Sequence, residues 1–211
     1  MSVVAISRLI GAGALEIAEL LGARLGVDVV DRRIIDEVAR RLRIPADEVE
    51  ALDERAASLL DRVLERLAAA SVDVVPASVA EWTPPYPGDP TLRNPAEATA
   101  RATAEVIREA ASTGRAIIVG RGAAFTLQDV RSVLRVLVWA PREQRIADVA
   151  RRMSLTPEAA RQRVKETDVN WRSYVRHFHN TELMDPANYD LVLNTGRLDT
   201  EHAANAIAAC L

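Results

Sequence analysis

Three groups of residues carry types and spacing suited to chemistry on phosphate. The first is the turn Gly11-Ala12-Gly13, between the apolar run Val3–Ile6 and a segment with Leu15, Ala18, Leu21 and Leu25 at helical period. A strand, a glycine turn and a helix start together make an anion site, because first-turn N–H groups and the helix dipole both favour negative charge. In a dinucleotide fingerprint the glycines follow the strand directly and a third comes three residues later. Here Ser7-Arg8-Leu9-Ile10 intervene and Glu16 holds the third position, so a longer phosphate loop fits better. Measured against such a loop, Ala14 stands where a phosphate-binding Lys belongs and Glu16 where a Ser or Thr would hold Mg²⁺. Backbone N–H groups from Gly11 to Glu16 are then left to do the binding. A first-turn Glu also favours a helix N-terminus by itself.

The second group is Arg121, in Gly120-Arg121-Gly122 after the buried-type run Ala116–Val119. Open α/β sheets place ligands at the C-terminal ends of their strands, and a guanidinium fork there can grip two phosphate oxygens. A surface ion pair would also explain it. The third group is the basic stretch Arg151, Arg152, Arg161, Arg163, Lys165, Arg172 and Arg176. Of the 27 basic residues, Lys165 alone is a lysine, which makes it a candidate for an ammonium on the phosphates, with Arg172 beside it. A solvated helix face is the alternative. Trp171, Tyr174 and Phe178 recur at helical spacing as a core or interface stripe. His177 and His179 have no metal-ligand partners in view.

The elements that must position these residues alternate strand and helix. Strands are expected at Val3–Ile6, Val27–Val30, Ala116–Val119, Val133–Trp139 and Asp190–Leu193. Helices are expected after Gly13, over Arg32–Leu42 with Asp31 as N-cap, and over 46–69, 96–112 and 142–153. Another starts after Thr156; others cover about 169–180 and 200–210. Five prolines between 84 and 95 exclude regular structure there, and Trp82 and Tyr86 imply that this loop packs on something. The alternation predicts a single α/β domain with an open, five-stranded parallel sheet covered on both faces. A net charge of −3 points to neither nucleic acid nor a membrane surface, and no apolar run approaches the roughly 20 residues needed to span a bilayer. Met1–Ile6 has no basic leader or cleavage site and Cys210 is the sole cysteine, so a cytoplasmic location is expected.

Taken together, the segments resemble the cytidylate kinase-like family, a divergent branch of the P-loop nucleoside-monophosphate kinases. The resemblance rests on Ile6-Ser7-Arg8 with Gly11-Ala12-Gly13 and Glu16-Ile17-Ala18, then Val30-Asp31-Arg32-Arg33-Ile34-Ile35. Val119-Gly120-Arg121-Gly122-Ala123, Lys165 with Thr167-Asp168, and Asp185-Pro186 with Asn188 through Thr195 follow in the same order. It implies a P-loop-type fold with an acceptor-binding helical insertion over 31–95 and a lid over 151–180. It also implies ATP and Mg²⁺ as cofactors and a nucleoside monophosphate as phosphoryl acceptor. Gly11, Ala12, Gly13, Ala14, Leu15 and Glu16 would wrap the ATP phosphates, with Glu16 holding Mg²⁺ through water. Asp31, Arg33, Arg121 and Asp168 would serve the acceptor, although Asp31 is equally explained as an N-cap. Lys165, Arg172 and Arg121 would supply charge to the transferring group. Asn188-Tyr189-Asp190 would shape the adenine pocket or form a structural turn. The sequence departs from the branch at Ala14-Leu15, where Gly-Arg is usual. It departs from true cytidylate kinases at Gly122, where an Asp helps to read cytosine. Two rivals remain open: a nucleotide-binding regulatory protein without turnover, and a partner-binding protein using the helix from residue 46 as a dimer surface.

Overall fold

The computed structural model describes residues 2–50 and 95–211. Five strands form one parallel sheet: β1 (Ser2–Arg8), β2 (Val29–Val30), β3 (Arg115–Val119), β4 (Val133–Trp139) and β5 (Leu191–Asn194), in the order β2-β3-β1-β4-β5. β1 is central, with Val3 opposite Ala116 on one side and Val133 on the other. Val4, Ile6, Ile117, Ile118, Val136 and Val138 are fully buried, which is why these strands read as continuous apolar runs. The five-stranded parallel sheet expected from the alternation is the one observed.

The described helices are α1 (Ala14–Leu25), α2 (Arg32–Leu42), α3 (Pro95–Ser112), α4 (Ala123–Thr126), α5 (Arg142–Met153), α6 (Pro157–His179) and α7 (Thr200–Ala208). α1 packs on α7, α2 on α3, and α5 on α6. Residues 46–50 are helical. The rest of the helix expected to 69, the proline loop, Trp82 and Tyr86 lie outside the described residues.

Three details differ from the sequence reading. β2 begins at Val29 rather than Val27, because the Val27 N–H is used to close α1. It donates to the Gly22 carbonyl at 3.0 Å around a left-handed Gly26, a common way to satisfy a helix C-terminus. α6 is one continuous helix of 23 residues, not two. No Gly or Pro lies between 158 and 179 to interrupt it, and the Thr156 hydroxyl caps its start by accepting from the Ala159 N–H at 3.2 Å. Asp31 occupies the N-cap position of α2, yet its side chain makes no capping bond. Its φ of −124° and ψ of −79° aim the carboxylate elsewhere. The turn Asn188-Tyr189-Asp190 leads into the N-terminal end of β5. Asp190 pairs with Arg135 at 2.8 Å, and the Tyr189 hydroxyl donates to the Leu183 carbonyl at 2.7 Å.

Candidate nucleotide site

The loop Leu9–Gly13 leaves the C-terminal end of β1 and turns into α1 at the centre of the sheet. Leu9 and Ala12 are buried and anchor it. Ala12 N–H donates to the Leu9 carbonyl at 3.1 Å, and the Thr195 hydroxyl lies 2.9 Å from the Ala12 carbonyl and 3.1 Å from that of Trp139. Gly11 and Gly13 have φ of 77° and 74°, a left-handed conformation suited to glycine. Gly13 is the N-cap of α1 and offers no side-chain acceptor. The first-turn N–H groups of the helix are therefore not taken by a side-chain cap at Gly13.

A cavity of about 150 Å³ opens over this loop, lined by Arg8 through Glu16 and by Asp148, Val149, Arg152 and Met153. Two cations face it. Arg152, from the last turn of α5, forms an ion pair with Glu16, and its Nε lies 2.6 Å from Asp148 Oδ2. Burial pushes the Asp148 carboxyl up from its ordinary value, an effect opposed by Arg151. Arg8 ends β1 and lies 3.9 Å from Asp31. A Cβ on Gly120 would sit 3.8 Å from the Arg8 Nε, so the C-terminal ends of β1, β2 and β3 converge around this guanidinium.

The residues expected from sequence divide into three sets. Gly11, Ala12, Gly13, Ala14, Leu15 and Glu16 line the loop cavity together, and Asp31 reaches the same end of the sheet through Arg8. Arg121 lies beside this end, in the turn between β3 and α4, with φ of 54°. Arg33 is exposed on the first turn of α2 and pairs with Asp28 at 3.1 Å. Lys165 and Arg172 are exposed on α6 and do not line the loop cavity. Asp168 is buried and bound through both oxygens to Arg145, each at 2.8 Å. Sequence reasoning missed Arg8 and Arg145 and counted Arg152 only as part of a basic run. Arg145 left a readable trace: it lies one turn before Val149 and next to Ile146 on the buried stripe of α5, where a charged residue needs a partner.

Beyond the β3 turn, a second cavity of about 330 Å³ lies between α3 and α6. Glu97, Arg101 and Arg108 of α3 face Phe125, Tyr174 and His179 across it. The aromatic stripe of α6 is largely core: Tyr174 is buried, and its ring lies 5.2 Å from Trp171 and 4.8 Å from Phe178. His179 stacks on Phe125 at 5.3 Å, and burial, reinforced by Arg108, holds its pKa down at about 4. Its buried Nε2 has no hydrogen-bond partner among the described residues. It would lie 2.8 Å from a Cβ on Gly122. The imidazole thus fills the space that a side chain at 122 would need. No group of three or more His, Cys, Asp or Glu suited to a metal ion occurs among the described residues, nor does any helix among them have the length and apolarity to cross a membrane.

Comparison with known proteins adds a sequence and a fold relationship. The sequence model of the cytidylate kinase-like family matches residues 3–197. A cytidylate kinase from Methanopyrus kandleri is 31% identical over 112 residues, covering 49% of this chain and 58% of that enzyme. The chain thus spans less than three fifths of that relative's length. Among solved structures, a protein from Eubacterium ventriosum superposes with a TM-score of 0.67 at 16% identity, over 100% of this chain and 98% of that one. A shikimate kinase from Bacteroides thetaiotaomicron superposes with a TM-score of 0.55 at 10% identity, over 99% and 97%. At these identities the structural likeness concerns the fold, a parallel α/β sheet covered by helices.

Proposed function

The chain belongs to the cytidylate kinase-like family, and from that premise we propose that it transfers the terminal phosphoryl group of ATP to a small acceptor, a nucleoside monophosphate. One observation carries the reading: Arg8 and Arg152 both face the Gly13-capped N-terminus of α1. This supplies, from a strand end and a facing helix, the charge that the loop itself lacks at Ala14. Phosphoryl transfer depends on positioning and on stabilising charge over the equatorial oxygens, and an N–H cradle flanked by two guanidinium groups provides both.

In this reading the triphosphate lies along Gly11–Glu16 and Arg152 exchanges Glu16 for phosphate oxygens. Glu16 and Asp148, both hard oxygen donors lining the cavity, fit a Mg²⁺ ion that keeps most of its remaining ligands from phosphate and water. The ion would neutralise charge on the bound phosphates. The acceptor occupies the cavity between α3 and α6. Arg101 and Arg108 meet its phosphate, the aromatic wall of Phe125, Tyr174 and His179 meets its base, and Arg121 approaches from the β3 turn. An acceptor phosphate oxygen then attacks the γ-phosphorus, the bond to the β–γ bridging oxygen breaks, and ADP leaves. Residues 151–180 close over the triphosphate. Lys165 and Arg172 reach the transferring group only on that closure, which also excludes water.

The test combines calorimetric titration with ATP and Mg²⁺ and a coupled ADP-release assay across nucleoside monophosphates. Micromolar ATP binding with acceptor-dependent turnover is expected. Arg152→Ala should lower ATP affinity by 10-fold or more, about 1.4 kcal/mol. Absence of binding at millimolar ATP in the unmutated protein would rule the reading out.

A further inference from the structure

Arg145 is the one buried cation among the described core residues, and only 4% of it is exposed. It joins three separate parts of the chain. Its Nε donates to the Ala140 carbonyl at 3.1 Å, just past the end of β4. Its fork holds both oxygens of Asp168 from the middle of α6. The Nη1 also points at the Ile10 carbonyl in the phosphate loop, at 3.4 Å. The loop is pressed against the same residue from the other side, since a Cβ on Gly11 would lie 2.6 Å from the Arg145 carbonyl oxygen. Next to this polar contact, the Ile10 side chain packs against Ile146 and Val149 of α5 and Ala160 and Val164 of α6. Those four form a small cluster separate from the main core.

From this geometry we propose that Arg145, locked by Asp168, is a positioning residue that holds the phosphate loop in its anion-binding shape from the α5–α6 side. The proposal rests on the nucleotide-binding reading of the loop, and it changes the role of Asp168 from acceptor contact to orienting partner. An Arg fork braced by a carboxylate has one permitted orientation. The Ile10 carbonyl and Gly11 are therefore held at fixed positions, and the N–H groups that follow are aimed before any ligand arrives. Because the same two residues tie α6 to the loop, movement of α5 and α6 changes the cradle directly.

The test uses the full-length protein in two variants. Arg145→Met with Asp168→Leu replaces the buried pair by apolar side chains of similar size, an exchange that folds commonly tolerate. Arg145→Lys keeps a cation beside Asp168 but loses the fork. Hydrogen exchange of the Ile10–Ala14 amides is measured first, then ATP titration and the KM-against-kcat split. The expected result is loop-amide exchange at least 10-fold faster in both variants, with the amides of β1 and β4 still protected. ATP affinity should fall 10-fold or more and KM for ATP should rise in proportion. If the double variant does not fold, Arg145→Lys alone decides by the same criteria. Unchanged loop exchange in a folded variant overturns the proposal. Unmutated protein that fails to bind ATP would defeat the kinase reading separately, while the exchange comparison, which needs no nucleotide, would still decide the role of Arg145.

Discussion

At Gly11 the backbone has φ of 77°, and a Cβ there would lie 2.6 Å from the Arg145 carbonyl oxygen. Both features oppose a side chain, one through conformation and one through overlap with backbone that cannot swing aside. Gly11→Ala should therefore cost about 1–3 kcal/mol of stability, read in urea denaturation, and should weaken ATP binding as the loop shifts. His179 gives a prediction of a different kind. Its pKa is held at about 4, mainly by burial, against 6.5 for the free imidazole. Between those values the unfolded chain binds a proton that the folded protein refuses. Stability from this group is thus complete above pH 6.5 and declines as pH falls towards 4. The ring keeps partial contact with solvent, so the decline should be about 2 kcal/mol rather than the full value of the shift. His179→Gln should lose that part of the pH dependence. An unchanged difference between the two proteins across pH 4–6.5 would count against a neutral buried imidazole.

Among the elements, α6 matters most to the site, because it carries Asp168, Lys165, Arg172, Tyr174 and His179 on one unbroken axis. Its start is fixed by the Thr156 hydroxyl bound to the Ala159 N–H and by Pro157 in the first turn. Thr156→Ala removes that acceptor and should destabilise the protein by about 1 kcal/mol. A matching fall in thermal midpoint of several degrees is expected for a chain of this size. Early fraying at Thr156 should appear as faster exchange of the α6 first-turn amides. Equal exchange in the two proteins would mean that tertiary packing alone sets the helix start.

Across the whole molecule, the two edges of the sheet perform separate tasks. The C-terminal edge gathers Arg8, the phosphate loop and the β3 turn, whereas the N-terminal edge holds structural pairs such as Asp190 with Arg135. That pair is well formed, with the Asp190 carboxylate accepting from Arg135 Nε, Nη2 and backbone N–H at 3.1, 2.8 and 2.8 Å. The Arg135 hydrogen bonds hold the Asp190 carboxyl below its ordinary range, and Arg135 is correspondingly raised. The resulting stability is present above the unfolded carboxyl value and is lost as pH falls through the folded one. Asp190→Ala should cost about 1 kcal/mol in denaturation and leave ATP affinity unchanged. A large loss of affinity would show that the two edges communicate.

Local pattern determined a good deal. Apolar runs fixed all five strands to within a residue or two, helical periodicity placed α1, α2, α3 and α5, and the glycine spacing located the turn from β1 into α1. The ordered motifs also indicated the family. Each of these depends on neighbours a few residues apart, which a linear sequence displays directly. The tertiary structure decided which charge serves which site. Lys165 was singled out by its rarity, but the described cations lining the loop cavity are Arg8 and Arg152, the latter paired with Glu16 from the last turn of α5. Asp168 stood in a family motif as an acceptor contact, and its partner proved to be Arg145, 23 residues earlier. Ion pairs of that kind depend on how helices cross and which side chains become buried, and neither is encoded in the spacing along one segment.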